Sequence, residues 1–299
     1  MGETLREIDL YFPWFLPTLV AVLGACVGSF LNVVIYRVPA GRSVVKPGSM
    51  CRCGRPIAWY DNLPVLSWIL LRGRARCCGA RFSARYPAIE ALTALVFWAA
   101  WMQYPPLAAG AVMVALGLFL AAAFIDLDTM EIPDVFSIGG FLVGVGLSFA
   151  VPALHGFGEG LWLLEAMRGL VEALLGAFVG SGLILWFALV AELILRKEAM
   201  GFGDVKLMGA IGAFFGWQGA VFALFGGAVL GLVLLFPMKW LQEPVPAEAT
   251  PEGEEAEDVA GRIPFGPSLV AGGLLYALWL REPIDAYFAE FYALLTSTL

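Results

Sequence analysis

The stretch LAAGAVMVALGLFLAAAFID (residues 107–126) decides the fold class of this chain. It carries no charged residue before Asp126, and it is as long as the roughly 20 apolar residues that a helix needs to cross a bilayer. The composition agrees, because 60% of the 299 residues are hydrophobic and only 14% are charged. Ordinary soluble domains carry about 25% charged residues. A soluble core of this length does not hide so much apolar surface, so the sequence predicts an integral membrane protein.

Further apolar runs lie on both sides of this stretch. They predict an all-α, polytopic membrane protein with about eight transmembrane helices. Their continuity argues against a β-barrel, whose short strands alternate apolar and polar residues. The predicted spans lie near residues 13–36, 88–104, 107–126, 135–154, 169–195, 205–218, 219–238 and 263–280. The sixth span is short and glycine-rich, so it is expected to be broken or merged with the seventh.

The charges are segregated along the chain. Ten of the 18 basic residues lie within residues 37–87, where Asp61 is the only acid. Because cytoplasmic loops carry the excess of Lys and Arg, this insert is predicted to be cytoplasmic. Seven acids lie within residues 243–262, whose Pro, Glu and Ala content predicts a flexible cytoplasmic loop. The chain thus divides into a first anchor (1–36), the basic insert (37–87) and a polytopic membrane domain (88–299) that contains the acidic loop.

Two aspartates stand where a charge is costly in a membrane protein. Asp126 ends the apolar run quoted above, and Asp204 ends Gly201-Phe202-Gly203-Asp204 at the start of the sixth span. Both spans reach the predicted cytoplasmic face, so the two carboxyl groups can meet. Two facing carboxyls share one proton, so one accepts a proton from water while the other donates to a carbonyl, as in aspartyl proteolysis. Gly201 and Gly203 would let backbone and substrate approach Asp204 closely.

Each aspartate also has an ordinary structural explanation. Asp126 can be a helix-end charge, as is expected of Asp128, and Asp204 can cap the following helix. Asp134 stands where a helix would restart and is predicted to be an N-cap. Two other functions stay open: a transporter or channel that uses Asp126 and Asp204 as an ion or proton relay, and an assembly scaffold whose insert binds partners.

Four cysteines lie in the insert as two pairs, Cys51-Arg52-Cys53 and Cys77-Cys78. Four thiolates can hold a tetrahedral zinc ion that organises a segment too small for its own core. Standard zinc sites use CxxC pairs, so CxC and CC are weaker signals. The sequence predicts a zinc site at Cys51, Cys53, Cys77 and Cys78, with disulfides and partly coordinating thiols as alternatives.

Seven motifs follow one another along nearly the whole chain. They are GSFLNVVIYR (28–37), WYDNLPVLSW (59–68), LRGR (71–74), SARYP (83–87) with Glu90, Ile125-Asp126 with IPD (132–134), EAMGFGDVKL (198–207) and PFGP (264–267). In this order they resemble the type IV prepilin peptidase family, also called leader peptidase/N-methyltransferase, a family of GxGD-type membrane aspartyl proteases. A lone GxGD is a weak signal, whereas the ordered set is highly specific.

The resemblance implies a bifunctional enzyme of the bacterial cytoplasmic (inner) membrane, with its active site near the cytoplasmic face. It implies that Asp126 and Asp204 are the catalytic pair, which removes the basic leader of type IV prepilins or pseudopilins. It also implies methylation of the new N-terminus with S-adenosylmethionine, and this step is associated with the insert, where the sequence identifies no binding residue. Membrane lipid is an expected partner, and nucleic acid is not.

The insert departs from the family pattern of two CxxC pairs. Met50 and Ala75 occupy the places of the first and third cysteines, while Cys51 and Cys77 stand nearby. A four-sulfur site can therefore survive with altered loops. The charges leave two further alternatives open: the acidic loop either attracts a basic leader or only solvates the chain, and the basic insert can contact anionic lipid headgroups.

Overall fold

The computed structural model describes residues 10–196, 200–240 and 264–297 of the chain. The regular elements within these residues are all helical. The α-helices are α1 (Phe15–Arg37), α2 (Leu66–Leu70), α3 (Arg85–Gln103), α4 (Pro106–Thr129), α5 (Asp134–Ala150), α6 (Trp162–Leu195), α7 (Phe202–Trp240), α8 (Gly266–Leu275) and α9 (Arg281–Ser297). Two 3₁₀ turns (Trp59–Asn62 and Pro152–His155) and a π-helix between α8 and α9 (Tyr276–Leu280) complete the set. The predicted acidic loop lies outside the described residues.

Four helices in the described part are long and apolar enough to cross a bilayer: Phe15–Arg37, Pro106–Thr129, Trp162–Leu195 and Phe202–Val233. Asp134–Ala150 is apolar but shorter. These helices agree with the prediction of an all-α membrane protein, whereas the count of about eight spans is not confirmed. α7 contains two of the predicted spans, residues 205–218 and 219–238.

α7 is interrupted at Gly216, whose φ of 72° and ψ of −180° lie outside the helical region. Side chains disfavour this φ, so glycine permits the break. The chain doubles back here, as the surroundings of Gly180 show. A Cβ on Gly180 would lie 2.6 Å from the carbonyl oxygen of Met208 and 3.2 Å from Cβ of Ala220, so residues on both sides of the break lie next to each other. In a straight α-helix, residues 208 and 220 would be about 18 Å apart. α7 is therefore a helical hairpin with two limbs.

Glycines let this hairpin pack against α6 at backbone distance. A Cβ on Gly176 would collide with the backbone of Gly212, and a Cβ on Gly212 would collide with Gly176. Lipid tails are as apolar as the side chains between two helices, so close packing of small residues has to hold such helices together. α4 lies at the centre of the bundle and is the most buried of the long helices.

α1 and α3 run antiparallel and flank the insert. Gly24 packs against Ala94, and Gly28 packs against Glu90, so the two helices also meet through glycine. The insert joins the end of α1 to the start of α3. We call this side of the bundle the insert end.

The opposite end of the bundle is tied together at the π-helix. The Tyr104 hydroxyl donates to the carbonyl of Ala277 at 2.6 Å, and the Gln103 amide donates to the carbonyl of Leu278. The helix then continues as α9 to Ser297, although the last predicted span ends at residue 280. Sequence reasoning missed α9, whose acidic residues interrupt the apolar run.

Candidate active site

Asp126 lies in the last turn of α4 and is only 5% exposed. Its Oδ2 accepts a hydrogen bond of 3.1 Å from the backbone N–H of Gly266, the first residue of α8. A Cβ on residue 266 would lie 2.6 Å from this oxygen, so a larger residue would displace the carboxyl group. Sequence reasoning did not single out Gly266 as a site residue. Its only signal was the motif PFGP, which was noted for the resemblance alone.

Asp204 lies in the first turn of α7 and is 8% exposed. Its segment and that of Asp126 both contact Ile132. Ile132 packs between the two segments: a Cβ on Gly203 would lie 3.4 Å from Cβ of Ile132, and one on Gly266 would lie 3.1 Å from its Cδ1. The fold thus brings two buried carboxyl groups together at the insert end.

The two predicted loop glycines differ in their surroundings. Gly203 faces Ile132 as described above. A Cβ on Gly201 would lie 3.9 Å from Oδ2 of Asp204, which is an ordinary contact distance. The Gly201 carbonyl accepts a 3.1 Å hydrogen bond from the N–H of Asp204, which shapes the turn before α7.

Each aspartate is followed, two residues later in the chain, by a residue that forms an ion pair with another helix. Arg85 of α3 donates to both oxygens of Asp128 at 2.6 and 2.8 Å, and it also donates to the carbonyl of Phe124 at 3.3 Å. Lys206 of α7 pairs with Asp134 of α5. The prediction of Asp134 as an N-cap is wrong. Pro133 holds that position, and the structure gives α5 no side-chain cap.

The four insert cysteines lie together, with every pair of sulfurs within 4.8 Å. Cys51 and Cys78 are 3.5 Å apart at sulfur, and Cys53 and Cys77 are 3.4 Å apart. A tetrahedral zinc ion with Zn–S bonds of about 2.3 Å needs sulfurs roughly 3.8 Å apart. This cluster therefore fits a four-sulfur metal site, despite its CxC and CC spacing.

Hydrogen bonds make these thiols unequal. The backbone N–H of Cys53 lowers the pKa of Cys51 to about 7, with a smaller contribution from the Cys77 thiol. Hydrogen bonding with Cys51 raises the pKa of Cys77 to about 12. Metals bind the thiolate form, so the lowered pKa of Cys51 favours its binding to a metal ion.

A cavity of about 1030 Å³ lies between the insert and the α1–α3 pair. Glu90 lies in its wall, and Oε2 of Glu90 accepts a hydrogen bond of 2.7 Å from the N–H of Val65. Val65 has a φ of 61°, which is rare for a β-branched residue. The lining also includes aromatic rings and guanidinium groups, among them Tyr36, Tyr60, Trp68, Tyr86, Arg37 and Arg74. The cavity combines a buried carboxylate with groups that stack on rings and bind anions.

Comparisons with known proteins agree with these two regions. Residues 22–104 match the family model for the bacterial peptidase A24 N-terminal domain, and residues 113–236 match the model for the type IV leader peptidase family.

Curated relatives cover most of the chain. It is 35% identical to the prepilin leader peptidase/N-methyltransferase of Myxococcus xanthus (strain DK1622), over 92% of this chain and 95% of the relative. For the proteins of the same name from Pectobacterium carotovorum subsp. carotovorum and Klebsiella pneumoniae, the identities are 34% and 38%. The coverage is 91% of this chain and 96% of the relative in the first, and 72% and 91% in the second. No solved structure gives a significant match.

Proposed function

The chain belongs to the type IV leader peptidase family, and on that premise we propose that it is a membrane aspartyl endopeptidase that removes the basic leader from type IV prepilins or pseudopilins. The observation that carries the proposal is that Asp126 and Asp204 are both buried at the insert end, in segments that both pack against Ile132. Ten basic residues in the insert support a cytoplasmic location for that end, in a bacterial inner membrane.

In the proposed reaction, one carboxyl of the pair is ionised and the other is protonated, because adjacent like charges repel one another. The ionised group takes a proton from a water molecule, whose oxygen attacks the scissile carbonyl carbon. The protonated group donates to the carbonyl oxygen. When the tetrahedral intermediate collapses, the C–N bond breaks, the leaving amine takes the proton that the first carboxyl group accepted, and the hydroxyl proton returns to the second carboxyl group. The N–H of Gly266 holds the Asp126 carboxyl group in one orientation during these transfers.

A transporter with Asp126 and Asp204 as a relay is the rival function. A relay needs polar groups that continue from these carboxyls towards the other membrane face. α4 carries no charged residue between Ala108 and Ile125, and most of its side chains there are buried and apolar. The helix that holds Asp126 therefore offers no path, which favours the peptidase.

We further propose that the same chain methylates the new N-terminus, with S-adenosylmethionine held in the cavity beneath the insert. The lining suits this donor: aromatic rings to stack on adenine, the Glu90 carboxylate to attract the sulfonium, and Arg37 or Arg74 to bind the donor's carboxylate. When bound, the donor supplies an electrophilic methyl group. The chain's own residues orient it towards the amine of the cleaved pilin.

We propose zinc as the ion held by the four cysteines. Cys51 and Cys77 belong to the wall of the cavity, so a metal at this cluster would hold the two loops that close it. The ion then acts as a cross-link in a segment whose longest α-helix has five residues.

Leader removal tests the peptidase directly. The purified protein in lipid nanodiscs is mixed with a prepilin, and the mass of the pilin is followed. Asp126→Asn or Asp204→Asn should slow cleavage by roughly 10³-fold or more, because each removes one partner of the proton transfers. Glu131→Gln changes an exposed acid near the same site and serves as the matched control. Unchanged cleavage in either aspartate variant would remove that residue from the mechanism.

The methylation step is separated by supplying a pilin that has already lost its leader. Both aspartate variants should still transfer a labelled methyl group to it. Absence of transfer by the parent protein would leave only the peptidase.

A further inference from the structure

One segment of the insert lies within the axial extent of helix α1. The N–H of Val65 donates to Glu90, and Glu90 packs against Gly28 of α1. Gly28 lies nine residues before α1 ends at Arg37, which is about 14 Å along the helix axis. α1 is one of the helices apolar enough to span the membrane. The chain around Val65 therefore lies inside the end of α1.

α2 begins at this depth, and its side chains point in two directions. One set lines the cavity, together with nearby residues of the same segment: Leu63, Ser67, Trp68 and Leu71. The other set lies outside the lining and is exposed to solvent: Leu66 by 59%, Ile69 by 57% and Leu70 by 77%. Trp59 is also outside the lining and is 79% exposed. We call Trp59, Leu66, Ile69 and Leu70 the apolar edge of the insert.

We propose that the apolar edge is embedded in the cytoplasmic leaflet, with phospholipid as its occupant. It begins next to Val65, whose N–H is bonded to Glu90 of α3, so it lies beside the membrane helices. A tryptophan suits the headgroup boundary, where one part of the ring system is apolar and the N–H is wet. Arg72 follows α2 by two residues, is exposed and lies outside the cavity lining, so it can pair with an anionic headgroup while Leu66, Ile69 and Leu70 enter the acyl region.

This placement has a consequence for the proposed function, on which this step rests. Arg85 joins the start of α3 to Asp128, so the cavity wall and the aspartate pair lie at similar depth. A pilin anchored in the bilayer by its own apolar segment would present its new N-terminus at that level. The amine would then pass from the aspartates to the cavity by lateral movement along the membrane surface.

Site-specific photo-crosslinking tests the lipid contact without relying on activity. The full chain is made with p-benzoylphenylalanine in place of Leu70, or of Arg55 as an exposed control outside the cavity lining. Both proteins are irradiated in nanodiscs of phosphatidylethanolamine and phosphatidylglycerol. Position 70 should form a phospholipid adduct at several times the yield of position 55, as measured by mass spectrometry. Equal yields, no adduct at position 70, or a cross-link there to a second copy or a pilin would overturn the proposal.

A functional variant gives the second readout. Ile69→Asp with Leu70→Asp should lower methyl transfer to a membrane-anchored, precleaved pilin several-fold, while leader removal and metal content stay unchanged. Arg55→Asp adds an acid elsewhere on the insert and controls for charge. Unchanged methyl transfer in the double variant would contradict the role of the edge. Failure of the parent to cleave or methylate would instead contradict the proposed function and leave the cross-linking result intact.

Discussion

The aspartate end of the bundle and the cysteine insert lie side by side, and different forces hold their polar groups. Asp126 and Asp204 project from long helices whose packing depends on glycine contacts at backbone distance. The insert cysteines lie in loops closed by two isolated bridges, Met50–Pro56 and Arg74–Arg81. One added methyl group should therefore damage the first region most, and loss of one ligand should damage the second.

Gly266→Ala is the strongest test of the bundle after the aspartate variants themselves. The new Cβ would lie 2.6 Å from Oδ2 of Asp126, so the carboxyl group or α8 must move. A displacement of about 1 Å in a catalytic group can cost about 100-fold in rate, and we expect a loss of that size in leader cleavage.

The control for this variant is Gly146→Ala in α5, because a Cβ there meets nothing within 4 Å. It should cleave at the parent rate. Normal cleavage by Gly266→Ala would mean that the contact between α8 and Asp126 does not orient the carboxyl group.

Cys51→Ser combined with Cys78→Ser is the matching test of the insert. Loss of two thiolates should release the metal, and methyl transfer should fall at least about tenfold because the cavity loses its closing loops. Leader cleavage should change little. Elemental analysis of the purified protein measures the metal, with Cys26→Ser of α1 as a control outside the cluster. A parent protein without bound metal would remove the zinc proposal.

Glu90→Gln should separate donor binding from cleavage. The variant keeps an acceptor for the N–H of Val65 but loses the negative charge that would face the sulfonium. Affinity for S-adenosylhomocysteine, which lacks that charge, should change little. Affinity for S-adenosylmethionine should fall about tenfold. This corresponds to a loss of about 1.4 kcal/mol of binding free energy, as expected when a charged partner is removed. Isothermal titration measures both, and an equal effect on the two ligands would argue against this role.

Arg85→Met should have the smallest effect, because it breaks an ion pair between two partly exposed side chains. Such pairs contribute up to about 1 kcal/mol, so leader cleavage should fall by no more than about fivefold. Arg55→Met removes an exposed arginine elsewhere in the insert and controls for the lost charge. A loss as large as that of Gly266→Ala would contradict this expectation and would show that the ion pair between Arg85 and Asp128 is needed to position the aspartates.

Several features could be predicted from the sequence because they are local. The apolar run before Asp126 predicts a membrane helix, and it also shows that the charge of Asp126 is placed where it is costly. The break in the sixth predicted span was also expected, because the short length and glycine content of that span are local properties. Gly266 as the partner of Asp126 could not be predicted, because its contact joins α4 to α8. The lysine partner of Asp134 was also missed, since an acid at a helix start suggests a cap by default.

By itself, the sequence determined that this chain belongs in a bilayer and which acids interrupt its apolar runs, because hydropathy and charge are properties of short segments. Only the tertiary structure decided that Gly216 reverses α7, that four irregularly spaced cysteines meet, and that Val65 reaches Glu90 inside the bundle. Those outcomes depend on distances between segments remote in the chain, which helix packing sets and local sequence does not.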